Sequence, residues 1–224
     1  YAKEEGSIIY SGDELNLISQ FRCNGSNSYL TFLDHLLEIN KSKDTNFDID
    51  YEVRLFNDPN KMREQLKIKN NINNKSRLLA GYCYDWITQK DRFSDIYDIE
   101  LENNFKAKWN FGNTNTWAID EDSFDQVGCI HTSQGLEFDY VGVIIGQDLR
   151  YENNKVITDY TKRAKTDASL KGIKTNKNFI LADEIIRNTY RTLLSRGQKG
   201  CYIYCEDKKL LKHISDLLNI KIED

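Results

Sequence analysis

Five short apolar runs are spaced along the chain, with amphipathic stretches of helical period between them. They are 51–56 (YEVRLF), 77–82 (RLLAGY), 127–131 (VGCIH), 140–145 (YVGVII) and 200–205 (GCYIYC). Such runs, apolar at nearly every position and too short for helices, read as strands buried on both faces. A sixth, weaker run covers 15–21. The helical stretches supply the cover. Residues 28–40 set Tyr29, Leu33, Leu36 and Leu37 on one face, and 179–196 carry Ile180, Leu181, Ile185, Ile186, Tyr190, Leu193 and Leu194 at helical spacing. Asp58-Pro59 reads as an N-cap followed by proline at the first helical position, opening a helix to about residue 70. Residues 207–218 close the chain as another amphipathic helix, and Gly197 reads as the stop of the helix before it. Strands alternating with helices predict an α/β fold, a mostly parallel sheet covered on both faces.

Two stretches break the alternation. Residues 83–126 are polar, hold all three tryptophans (Trp86, Trp109, Trp117), and read as a β-rich insertion on the core sheet. Tryptophans in such a segment favour a packed hairpin core over base-stacking platforms. Residues 148–177 are polar and lysine-rich and read as a long surface loop. The whole, 1–224, is expected to be one domain with the insertion inside it.

A net charge of −4 excludes a basic coat for nucleic acid, so any such contact has to be local. No apolar run reaches the roughly 18 residues of a membrane span, so no membrane partner is expected. Five scattered cysteines form no disulfide framework and suit a reducing, cytoplasmic setting. Cys201 and Cys205 face one side of a strand and read as buried thiols rather than zinc ligands; no metal site is expected. The chain opens on Tyr1 and its one methionine is Met62, which fits a piece of a longer polypeptide.

Three segments carry chemistry. Gln20-Phe21-Arg22-Cys23 puts an arginine at a predicted strand end. Residues 130–140, IHTSQGLEFDY, join two strands through a turn rich in hydroxyls and glycine, where backbone N–H groups and hydroxyls can meet phosphate. Thr132 and Ser133 could equally just cap the turn, with Glu137 exposed. Residues 190–197, YRTLLSRG, end a helix before a strand. Arg191 and Arg196, five apart, do not share one helix face; they suit phosphate oxygens, or simply complement the helix dipole.

In this order the segments resemble motifs IV, V and VI of superfamily 1 helicases. With AGYCYDW, KRAKTD and GCYIYC added, they are similar to the Schlafen group 3-like DNA/RNA helicase family, a bacterial family. The resemblance implies a RecA-like P-loop NTPase fold, as the second of two motor domains. It implies ATP and Mg²⁺ held mainly by an N-terminal P-loop domain of the same polypeptide. This chain has no G-x-x-x-x-G-K-(S/T) motif. Arg22 and Arg196 would reach the γ-phosphate as arginine fingers, each such residue worth on the order of 10³–10⁵ in rate. Gln20, Gly135, Glu137 and Arg191 would complete the nucleotide site, Glu137 at the ribose. His131, Thr132 and Ser133, with Lys162 and Arg163 of the basic cluster, would contact single-stranded DNA or RNA. Gln134 departs from the lysine many relatives carry, and Gly197 from their alanine.

The implied function is an ATP-dependent helicase or translocase half, inactive by itself. Two alternatives stand beside it. One is a non-enzymatic interaction module on the same fold. The other is a nuclease, for which Asp120-Glu121-Asp122 is the one dense acidic run, reading as an exposed loop.

Overall fold

A computed structural model describes residues 22–40, 49–90, 95–112, 116–133, 137–173 and 178–224. The run at 15–21, Gln20 and Gly135 lie outside the described residues, as does the side chain of Arg22.

Eight strands form one sheet: β1 (Glu52–Phe56), β2 (Ser76–Ala80), β3 (Ile99–Glu100), β4 (Lys106–Trp109), β5 (Gln126–Gly128), β6 (Phe138–Ile145), β9 (Gly197–Cys205) and β10 (Ile222–Glu223). Their order is β10-β1-β9-β6-β2-β5-β4-β3, parallel throughout except for the β3–β4 pair at the edge. The central pairing runs from Phe138↔Gly197 to Ile145↔Cys205. A separate hairpin joins β7 (Leu149–Glu152) to β8 (Lys155–Thr158).

Successive strand residues point to opposite faces, and the two cores follow that alternation. Leu55, Leu79, Val141, Val143, Cys201, Ile203 and Cys205 join one apolar core with α1 (Asn27–Leu36), α3 (Phe179–Leu194) and α4 (Lys208–Leu218). Phe56, Leu78, Ala80, Ile144, Tyr202 and Tyr204 join the other with α2 (Pro59–Asn73) and the 99–109 strands. Each buried Leu or Ile contributes on the order of 1.5–3 kcal/mol, so both faces hold the helices in place.

Helix starts follow their caps. Asp58 accepts from Asn60 N at 2.8 Å, Asp207 from Lys209 N at 3.0 Å and Ser26 from Tyr29 N at 3.3 Å. α2 ends on Asn74, left-handed at φ 56°.

Within the 83–126 stretch β3 and β4 pair antiparallel, and β4 joins the sheet edge in parallel with β5. Trp109 and Trp117 are buried in the two cores, as the core reading of the tryptophans requires. Two expectations change. Residues 148–173 are more than a surface loop, since they bury Asp148, Leu149, Val156, Arg163 and Asp167. Gly197 begins β9 rather than stopping the helix, whose last residue is Leu194. A Cβ on Gly197 would lie 2.2 Å from Gly200 O, so this close approach admits only glycine. Among the described residues no helix is long and apolar enough to cross a membrane.

Candidate functional site

Glu137 and Arg196 meet at the amino-terminal edge of the sheet. Glu137 directly precedes β6 and Arg196 directly precedes β9, and those strands start side by side through Phe138↔Gly197. Glu137 is exposed and Arg196 half-buried. The segment Arg22–Gly25 is tied to the same place: Cys23 Sγ donates to Ser195 O at 3.6 Å, and Tyr29 Oη to Leu194 O at 3.0 Å. Tyr51 Oη donates to Gly197 O at 2.9 Å, fixing the backbone just after Arg196. Segments more than 100 residues apart in sequence thus meet at one edge.

Arg191 is already engaged. Its guanidinium grips Asp34 of α1 through both carboxylate oxygens, the Nη2 contact being 3.1 Å, and this bond raises its pKa. It fastens α3 to α1 beside the site rather than presenting a bare fork to phosphate.

The 129–133 turn occupies the opposite, carboxyl-terminal edge, after β5. Thr132 Oγ1 accepts from Cys129 N (2.8 Å) and donates to Cys129 O (3.1 Å), and Ser133 Oγ donates to Ile130 O (3.2 Å). Both residues are buried, so the structure turns their hydroxyls into their own turn, which is the capping alternative. His131 is exposed, its ring edge-on to Tyr82 with centroids 5.8 Å apart. Lys162 is exposed as well.

Arg163 departs from its expected role. Its side chain is 2% exposed, lying between Asp148 (Nη1–Oδ2 3.1 Å) and Asp167 (Nη2–Oδ2 2.7 Å), whose side chains are 0% and 2% exposed. A cation buried between two carboxylates is a brace, not a strand contact. Charge pattern alone could not show this, because Asp148 stands fifteen residues away in a different turn.

Sequence reasoning also missed the network that continues from Asp148. Tyr190 Oη donates to Asp148 Oδ1 and accepts from Gly146 N at 3.1 Å, while Cys83 Sγ lies 3.3 Å from both Tyr190 Oη and Asp148 Oδ1. Burial pushes the Cys83 thiol and the Tyr190 phenol well above their ordinary values, so both stay protonated. The one available signal was Tyr190 itself, the first residue of YRTLLSRG.

Burial likewise pushes the Cys201 thiol upward, and among the described residues no three His, Cys, Asp or Glu side chains are grouped to hold a metal. Asp120 uses its carbonyl to hold Arg77 (2.9 Å) and Ser123 (2.7 Å), while Glu121 and Asp122 are exposed.

A comparison with protein families decides the kinship. The family described as Schlafen group 3, DNA/RNA helicase domain, matches residues 3–207. The chain belongs to this family. The match takes in all three motif segments and KRAKTD. The helicase domain is also similar to an uncharacterized protein of Saccharomyces cerevisiae, 27% identical over 172 residues, which cover 73% of this chain and 36% of the yeast protein. The chain therefore spans little more than a third of that relative.

Proposed function

We propose that this helicase domain is the second, RecA-like motor half of an ATP-dependent superfamily 1 DNA/RNA helicase or translocase. The observation that carries the proposal is the meeting of Glu137, Arg196 and the Arg22–Gly25 segment at one sheet edge. The donor set fits a nucleoside triphosphate: an arginine fork for phosphate oxygens, a second arginine beside it in sequence motif IV, and an exposed carboxylate for ribose hydroxyls. Arg196 serves the γ-phosphate across a cleft, Arg22 is assigned to the same role by motif IV alone, and Glu137 accepts from the ribose. ATP with Mg²⁺, held mainly by a P-loop domain of the same polypeptide, supplies the phosphoanhydride whose cleavage drives movement.

His131 and Lys162, at or near the opposite edge, meet single-stranded DNA or RNA, mainly through phosphates. His131 follows β5 and Glu137 precedes β6, six residues apart in sequence, so motif V is the segment that would couple a held strand to the nucleotide. ATP hydrolysis by the full-length polypeptide, with and without single-stranded nucleic acid, tests the proposal. Stimulated hydrolysis is expected. A full-length polypeptide that binds ATP and never hydrolyses it would leave the non-enzymatic interaction module in its place.

A further inference from the structure

KRAKTD, residues 162–167, lies outside the three helicase motifs, yet the fold builds two adjoining hollows around it. One, of about 280 Å³, lies between the 129–133 turn and α3 and is lined by Tyr82, His131, Asn188, Thr189 and Thr192 among others. The second, of about 420 Å³, is formed by residues 160–171 and carries Lys165 and Lys171. Arg163 and Asp167 line both, so a buried ion pair is the shared floor.

The smaller hollow has the chemistry of an aromatic-ring site. Two rings, Ile130 and Ile185 supply its apolar lining, and Asn188 and the threonines add a small number of polar groups above the Arg163–Asp167 floor, as in pockets for flat heterocycles. Tyr82 is held rigidly: edge-on to Trp109 at 4.7 Å, with the Arg163 guanidinium 5.9 Å from its ring centroid. Asn188 donates one N–H to Glu184 O at 2.9 Å, and its amide otherwise offers a donor and an acceptor to the hollow. The larger hollow differs: Lys165 and Lys171 are exposed on its rim and suit a phosphate. A heterocycle pocket joined to a cationic hollow matches one nucleotide unit. The brace fixes the shape beforehand, since Arg163 leaves Asp148 and Asp167 only at the cost of two unpaired buried carboxylates.

We infer that the paired hollows hold one nucleotide of a single strand, its base turned out of the stack into the His131–Tyr82–Asn188–Thr192 pocket and its phosphate over Lys165 and Lys171. The inference rests on the nucleic-acid reading above and goes further, because it requires a base and not only a backbone.

The test uses the full-length polypeptide and two single-stranded DNA oligonucleotides of equal length, one ordinary and one abasic throughout, with binding followed by fluorescence anisotropy. The native protein is expected to bind the ordinary strand at least about tenfold more tightly, the range for stacking one base. Thr192→Trp fills the pocket from the helix surface and should bind both strands with the abasic strand's affinity. Asn188→Leu, at an exposed helix position, serves if the tryptophan variant does not fold and should lose part of the same discrimination. Equal native binding of the two strands, or full discrimination kept by both variants, would overturn the base pocket while leaving the nucleic-acid reading intact. Binding of neither strand would overturn that reading and this inference together.

Discussion

Removing the positive charge of Arg163 while keeping its bulk, as in Arg163→Met, should be among the most damaging single changes in the chain. The guanidinium lies between Asp148 and Asp167, and all three side chains are at most 2% exposed. Without it two carboxylates stay buried and unpaired, a loss of about 3–5 kcal/mol when one partner of a buried pair is removed. With a urea dependence of about 2–3 kcal/mol per molar for a domain of this size, the unfolding midpoint should fall by about 1–2.5 M. Far-UV circular dichroism against urea reads it directly. Asp167→Asn in the same background removes one stranded charge, so the double variant should recover part of the loss. A midpoint within about 0.3 M of the native value, or a double variant destabilised by the sum of the single effects, would refute the brace.

Three further outcomes follow from the same geometry. Gly197→Ala should cost about 1–3 kcal/mol by thermal unfolding, because its Cβ would meet Gly200 O at 2.2 Å; an unchanged melting temperature would show that β9 shifts freely there. Asp34→Asn should weaken the α1–α3 clasp by about 1 kcal/mol or less, the pair being partly exposed, and should leave ATP binding by the full-length polypeptide intact; lost ATP binding would mean Arg191 serves the nucleotide. Burial raises the pKa of Glu206, which accepts from Tyr84 Oη at 2.6 Å. A carboxyl with a raised folded-state pKa favours folding below its unfolded value and loses that contribution as pH rises through the folded one. Glu206→Gln should therefore stabilise the domain near pH 7–8 and lose its advantage below the ordinary carboxylate range; a pH-independent difference would contradict this.

Local signals were legible in the sequence and long-range ones were not. Asp58-Pro59 announced α2 because a cap and a proline act within one turn. The runs that became β6 and β9 were legible because burial on both faces leaves no polar alternation to obscure them. β4, with its sequence Lys-Ala-Lys-Trp, is not legible as a sheet strand because its place is set by parallel pairing with β5, seventeen or more residues on. The edge that gathers Glu137 and Arg196 could be inferred only by resemblance, since their proximity depends on the β6–β9 register. Arg163 was assigned to the surface because a lysine- and arginine-bearing loop ordinarily faces water; Asp148 reverses that only once the 148–167 chain has folded back.

The central claim is that Arg196 acts on phosphate from the amino-terminal edge of this sheet. The most direct measurement is nucleic-acid-stimulated ATP hydrolysis by the full-length polypeptide, native and Arg196→Ala, alongside equilibrium binding of a fluorescent ATP analogue. The account predicts a stimulated rate falling on the order of 10³-fold or more while analogue binding stays within a few-fold. An unchanged rate, or a loss explained wholly by weaker binding, would contradict it.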